Sequence, residues 1–323
     1  MGLLNKTLTQ PAVNYYENVK PSFWTSVKKD FRRNRYIYLM LLPVILYYLI
    51  FHYGPMYGAV IAFQDYIPNK GVWGSEWIGF ENFENFFNSF FFLRLLRNTL
   101  AINLLDLFFG FPAPIILALL LNEIRWEPFK RLVQTISYMP HFISVVVIVG
   151  ILIDFFARDG LVNNMLLPFL ADPVAFMQEP EMFQPLFVGS GIWQHMGWAS
   201  IVFLAAITNI DPSLYEAAMV DGAGRFRQLI HITLPGIMAT ILVLLILRLG
   251  SMMTIGYEKI ILMYSPATYE TADVISTYVY RRGILNTDYS FSAAVGLFNS
   301  VINFGLVVIA NTISRKVNNT SLW

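Results

Sequence analysis

The sequence has no cysteine and little charge. Only 13% of its 323 residues are Asp, Glu, Lys or Arg, against about 25% in an ordinary soluble protein. Without cysteine there are no disulfides, thiolate nucleophiles or thiolate metal ligands, although the redox compartment stays open. The histidines, His52, His141, His195 and His231, form no H-E-x-x-H or similar pair, so a metal centre is not expected. No G-x-x-x-x-G-K-[ST] occurs, which excludes a P-loop on this chain. Net charge is +1 with no basic stripe to neutralise phosphates, so nucleic acid is not an expected partner. Nor is there an internal repeat, a low-complexity tract, or the clustered acids or nucleophile–base pair that an enzyme would need.

What is abundant is apolar. Hydrophobic residues make up 56%, aromatics 16%, and the mean hydropathy is +0.54. That excludes a disordered chain and points to a bilayer as solvent. A membrane-crossing helix needs about 20 mostly apolar residues. Six stretches meet that need: 36–53, 98–121, 133–156, 188–208, 236–255 and 292–313. The fourth is the weakest, because Trp193-Gln194-His195 interrupts it. The first follows a long polar lead with no small-residue cleavage site, and reads as a retained anchor rather than a signal peptide.

Lys and Arg stay on the cytoplasmic side of a membrane. With the N-terminus inside, the inner segments hold 14 of the 22 Lys and Arg and the outer segments 7, while Arg248 falls within a span. The acids run the other way, 12 outside and 7 inside. Six spans then leave both basic termini in the cytoplasm. Arg94 and Arg97 are exceptions beside a Phe-rich stretch of the outer interface, where an arginine can snorkel. Residues 20–35 place Trp24, Val27 and Phe31 among basic residues, which suits either an amphipathic helix on the inner lipid surface or a solvated linker. The outer segments 54–93, 157–187 and 256–289 are rich in Pro, Gly, Asn and acids. Tyr66, Trp73, Trp77, Phe80 and Phe83 argue that they are folded.

Between the fourth and fifth stretches lies 211–235, on the inner side. Asp211-Pro212 or Ser213 can start a helix there, and Ser213 and Glu216 stand at capping-box spacing. The helix would run through Tyr215 to Val220 and end at Gly222 in a left-handed conformation, with a second helix from Arg225 and Pro235 marking entry to the next span. Ala217 and Ala218 leave a low surface that another protein can approach.

The spaced pattern Glu216-Ala217-Ala218, Gly222, Ile232, Leu234-Pro235 resembles the EAA loop of binding-protein-dependent ABC importer permeases. The flanking Asp221-Gly222-Ala223 is similar to the carbohydrate branch. Tyr38–Pro43, Pro55–Gly58, Arg97–Leu100, Phe111–Pro114 and Gln134–His141 are similar to the LplB-related oligo- and polysaccharide permeases, and within that group to alginate importer permeases. The resemblance implies an all-α, six-span membrane protein of the type I ABC importer permease (MetI-like) fold. Its parts would be a cytoplasmic segment 1–35, a first span with outer loop 36–93, a permease core 94–313 and a tail 314–323. It implies a non-catalytic subunit that holds no cofactor, with ATP and Mg bound by a partner ATPase dimer. A second related permease, an extracytoplasmic solute-binding protein, membrane lipid and an oligosaccharide substrate would complete the partners. Tyr215, Glu216, Ala217, Ala218, Asp221, Gly222, Ala223 and Arg225 would couple the chain to the ATPase.

Polar residues within spans are costly and invite a functional reading. Asp106, Asp154 and Arg248 suit either structural pairing or a translocation path. Asn299 and Asn303 suit either a path or a bond to a neighbouring helix. Trp193, Trp198, Tyr257 and Tyr278 suit either sugar stacking or the membrane interface. An ion-driven transporter using Asp106, Asp154 and Arg248 is the competing function, and the lack of inverted repeats stands against it. The acidic outer face does not favour direct capture of a polyanion.

Overall fold

The computed structural model describes residues 23–169 and 172–318. It is predominantly helical, with one short antiparallel ribbon in which β1 (Gln64–Asp65) pairs with β2 (Glu76–Trp77). The chain divides into two compact units, Met1–Tyr57 and Gly58–Trp323.

In the first unit, α1 (Phe23–Arg33) bears Lys28, Lys29, Arg32 and Arg33. Asp30 closes it by accepting from Asn34 Nδ2 at 2.7 Å and from the Tyr38 hydroxyl at 2.6 Å. A helix therefore occupies most of the expected interfacial segment, with Val27 and Phe31 exposed. Residues 1–22 and the side chain of Trp24 lie outside the described residues. The next helix, α2 (Arg35–Tyr48), buries none of its side chains, which suits a lipid-facing rod.

The main helices of the second unit are α3 (Glu81–Phe87), α4 (Phe92–Leu105), α5 (Pro112–Glu123), α6 (Glu127–Tyr138), α7 (Val145–Phe155), α8 (Leu161–Leu166), α9 (Pro180–Thr208), α10 (Pro212–Val220), α11 (Arg225–Gln228), α12 (Met238–Leu249), α13 (Tyr257–Met263), α14 (Ile275–Val279) and α15 (Tyr289–Asn318). Among the described residues, three helical runs are long and apolar enough to cross a membrane: Arg35–Phe63, Phe92–Glu123 and Tyr289–Lys316. Two bent pairs also qualify when each is counted as one span. They are Glu127–Phe142 with Val145–Phe155, bent by 104°, and Arg225–Gly236 with Met238–Leu249, bent by 58°. The fourth expected stretch, 188–208, falls on α9. Its 29 residues are ample in length, but Gln184, Gln194 and His195 make it less apolar than the others.

Prolines set the irregularities. Three of the four π turns among the described residues end two positions before a proline: Leu49–Tyr53 before Pro55, Asp106–Gly110 before Pro112, and Leu229–Thr233 before Pro235. Proline lacks an N–H and its ring crowds the carbonyl four residues back. The turn ahead of it widens, and the residue before the proline donates one position further back than in an α-helix. Thus Gly54 N–H reaches Leu49 O, Phe111 N–H reaches Asp106 O, and Leu234 N–H reaches Leu229 O. Pro140 lies in the 3-10 turn Met139–Phe142 that ends α6, just ahead of the bend into α7.

The core is threaded by α9. Near its start, Phe183 and Val188 pack with Ile102, Val149 and Ile260. Near its end, Phe203 and Ile207 pack with Ala118 and Ile237. Between these clusters α9 crosses the end of α6 so closely that a Cβ on Gly197 would collide with the Ser137 carbonyl. Many large apolar side chains face outward instead, Phe108 and Phe304 among them at 69% exposure each. Such a surface needs a solvent other than water.

The outer segments are folded. Phe63 stacks on Trp77 at 5.6 Å, and Asn82 Nδ2 donates to the carbonyls of Ala62 and Gln64. The buried Asp273 accepts two bonds from Arg281 NH2, at 2.9 and 2.8 Å, and one at 2.7 Å from the Thr277 hydroxyl. Arg94 completes the cluster at 3.4 Å from Asp273, and Arg97 donates to the Glu270 carbonyl at 3.1 Å. Both arginines expected to snorkel are thus held by protein. Replacing Gly197 by Ala is expected to destabilise the fold by about 1–3 kcal/mol through overpacking against backbone. Gly189→Ala, at a site with open space, is the matched control. Thermal unfolding in detergent reads the difference.

Candidate functional site

Two features stand apart from the packed core: the exposed hairpin 211–235 and a cavity inside the helical bundle.

In the hairpin, Asp211 starts α10. Its carboxylate accepts from the Ser213 N–H at 2.9 Å, a bond that holds its carboxyl below the usual carboxylate range. Pro212 occupies the first turn. Of the two expected starts Asp211 is used, and no Ser213–Glu216 capping box forms. The helix ends as the glycine suggests. Gly222 has φ +75°, its N–H donates to Met219 O, and the Ala223 N–H donates to Ala218 O at 2.8 Å. This is a complete Schellman closure, and it needs a residue that tolerates the left-handed region. A second helix follows from Arg225 as expected. The Tyr215 hydroxyl lies 2.9 Å from Thr233 Oγ1, and Gln228 Nε2 donates to Ala223 O at 2.8 Å, so the two arms are locked together. Arg225 pairs with Glu123 at the end of α5 at 3.6 Å. The hairpin is thereby rigid and tied to α5, α9 and α12.

Its outer surface has no partner among the described residues. No residue of α10 is buried, Glu216, Ala217 and Asp221 are exposed, and Val220 and Phe226 are 88% and 75% exposed. A concavity of about 240 Å³ opens between Ala218, Ala223, Arg227, Gln228, His231 and Ile232.

The cavity has a volume of about 790 Å³, within the roughly 300–1,000 Å³ usual for small-molecule sites. Its walls come from α4, the π turn after it, α5, α9, α12, the turn 251–256 and α13. Asp106, in the π turn, forms an ion pair with Arg248 of α12, and both line the cavity. From α9 come Gln194 and His195. His195 approaches His141 at 3.2 Å between Nδ1 atoms, and His141 stacks on Trp198 at 5.0 Å. Lys259 of α13 also lines the cavity. Its Nζ donates to the Phe187 carbonyl at 3.0 Å and sits 4.7 Å over the Phe187 ring. Burial lowers its pKa to about 8, so the ammonium stays mostly protonated at neutral pH.

Of the residues suggested for a translocation path, Arg248 lines this cavity. Trp193 and Trp198 occupy other faces of α9, at 43% and 45% exposure. Tyr257 stacks on Tyr280 at 4.9 Å, and the Tyr278 hydroxyl accepts from Arg282 at 3.3 Å. Asn303 uses both ends of its amide on the turn after α12, accepting from Met253 N–H at 2.9 Å and donating to Thr254 Oγ1 at 3.0 Å. The Asn299 Oδ1 is buried and has no hydrogen-bond partner among the described residues. Asp154 is exposed near the end of α7, off the cavity. Lys259, Gln194 and His195 were missed from sequence. The available signal was a lysine inside the apolar run 255–263, and the polar pair that weakens the fourth stretch.

The sequence profile described as "Binding-protein-dependent transport system inner membrane component" matches residues 110–319. Protein LplB of Bacillus subtilis (strain 168) is 48% identical over 293 residues, covering 90% of this chain and 92% of that protein. The polygalacturonan/rhamnogalacturonan transport system permease protein YteP of the same organism is 44% identical over 292 residues, covering 90% and 91%. Among solved structures, a chain of a bacterial ABC transporter involved in the import of the acidic polysaccharide alginate superposes with a TM-score of 0.83 at 46% identity, covering 91% of this chain and 99% of that one. A bacterial alginate ABC transporter in complex with an alginate pentasaccharide-bound periplasmic protein superposes with a TM-score of 0.84 at the same identity and coverage.

The Asp106–Arg248 pair is testable by a double-mutant cycle. Asp106→Asn and Arg248→Gln should each lower stability. The double variant should lose less than their sum, by about 0.5–1 kcal/mol, since water in the cavity screens the pair. Thermal unfolding of the four purified forms measures the coupling.

Proposed function

The chain belongs to the binding-protein-dependent transport system inner membrane component family, and on that premise we propose that it imports oligosaccharides as one permease of an ABC transporter whose ATP is hydrolysed on another subunit. The substrate class rests on relatives named for polygalacturonan, rhamnogalacturonan and alginate. Oligosaccharides bearing uronate carboxylates, alginate fragments among them, are the sharper reading.

The observation that carries the mechanism is the rigid hairpin with an unclad outer face. Val220, Phe226 and the low Ala217–Ala218 surface seat in a cleft of the ATPase, with Glu216 at its polar rim. Tyr215, Asp221, Gly222 and Ala223 hold the shape, and Arg225 ties it to α5. Movement of the ATPase dimer on binding ATP and Mg then transfers to α9 and α12, which wall the cavity. A hairpin that flexed would dissipate that motion. This chain does no chemistry itself. A second related permease closes the path, and a solute-binding protein delivers sugar to the outer loops. α9 completes the six crossings as the fourth in chain order, and the basic excess of the inner segments sets both termini in the cytoplasm. The ion-driven alternative needs a carboxylate free to bind an ion in the path. Asp106 is engaged by Arg248 and Asp154 lies off the cavity, which disfavours it.

Purification of the tagged chain in mild detergent, with mass spectrometry of what accompanies it, tests this reading. A P-loop ATPase and a second permease should co-purify. Glu216→Lys and Gly222→Asp should lose the ATPase and retain the permease. A chain that purifies alone under conditions that preserve complexes, unchanged by either variant, overturns the proposal.

A further inference from the structure

The cavity carries an unbalanced charge. Its ionised side chains are Asp106, Arg248 and Lys259, and Asp106 is already paired with Arg248. Lys259 has no carboxylate within ion-pair distance among the described residues. Its ammonium instead contacts one carbonyl and one aromatic face, both of Phe187, and neither carries a net charge. The neighbouring Glu258 does not line the cavity. An ammonium has three donors, and the Phe187 carbonyl takes one. The ammonium also neighbours Gly191, where an added Cβ would stand 3.7 Å from Nζ, in ordinary van der Waals contact. A half-buried cation without a counter-charge is unfavourable to the protein alone. The arrangement suits an anion that arrives with the ligand, and partial removal from water strengthens the attraction.

We infer that Lys259 is a specificity-determining residue that binds a carboxylate of the transported oligosaccharide as it passes the cavity. This rests on the importer reading and names the group within it that selects acidic over neutral sugars. The Asp106–Arg248 pair in the same lining is internally neutral, so the cavity offers a single net positive charge, suited to one uronate at a time. A passing chain is then held at one carboxylate and released as the next replaces it. Phe187 keeps the ammonium pointed inward, since its ring and carbonyl hold the same nitrogen.

The test uses the complete transporter, with its ATPase, second permease and solute-binding protein, in proteoliposomes. Import of an oligouronate is compared with that of its carboxyl-reduced, neutral counterpart for wild type, Lys259→Gln and Lys259→Arg. Lys259→Gln should slow oligouronate import about tenfold or more, the scale of one lost charge-assisted bond. Lys259→Arg should restore most of it, and neutral-sugar import should change little. Equal oligouronate import by wild type and Lys259→Gln overturns the inference. So does an Arg variant as slow as the Gln variant, which would make the effect one of packing. Equilibrium binding of both sugars to the wild-type complex without solute-binding protein guards against a variant that fails to assemble. The oligouronate should bind at least several-fold tighter, and equal binding refutes the role of Lys259. A wild-type complex that imports neutral oligosaccharides but no oligouronate refutes it too, and leaves the importer reading standing. One that imports no saccharide at all brings down the importer reading itself.

Discussion

A backbone in hydrocarbon has no water to bond, so its N–H and C=O groups must find partners within the protein. Everything else here works inside that constraint. The helices satisfy it directly. The prolines at 55, 112 and 235 break the α-helical ladder, and the chain answers each time with a widened turn that returns the preceding N–H to the carbonyl five residues back. These turns do more than repair. One carries Asp106 to the cavity wall, and another joins the exposed hairpin to α12. Asn303 performs the same service with a side chain where the backbone leaves α12, and so keeps the turn 251–254 paired beside the cavity.

Charge is handled by the same economy. Buried or half-buried ions meet counter-ions wherever the fold needs them permanently. Asp273 holds Arg281 and Arg94 at one end of the bundle, and Asp106 holds Arg248 within it. Lys259 departs from that pattern, and it faces the cavity of about 790 Å³. The acidic surface of the outer segments argues against direct capture of a polyanion there. The charge inferred to act on a polyanion lies instead in the cavity, at Lys259.

Rigidity links the two ends of the molecule. α9 meets α6 at Gly197, lines the cavity with Gln194 and His195, and leads into the hairpin that begins at Asp211. The hairpin is locked by Tyr215–Thr233 and by the Schellman closure at Gly222, and it leaves its apolar outer face open. That face and the cavity are thereby joined through α9 and α12.

What the sequence determined by itself was whatever depends on near neighbours along the chain. Five of the six apolar stretches, the helix start at Asp211, the left-handed stop at Gly222 and the widened turns before Pro55, Pro112 and Pro235 follow from local bonding and are found where local rules place them. The membrane class and the spaced hairpin motif were legible for the same reason. Which faces converge was not. Trp193 and Trp198 share α9 with Gln194 and His195, yet only the latter two line the cavity, because helix rotation is decided by contacts such as Gly197 on Ser137. Asp106 and Arg248 were candidates for pairing, and only packing brought residues so far apart in the chain together. Lys259 belongs to a segment that reads as an outer loop, and its place on the cavity wall comes from the fold of that segment back against α9. Side-chain direction at such a site is a property of the assembled bundle, where several helices must satisfy one another at once.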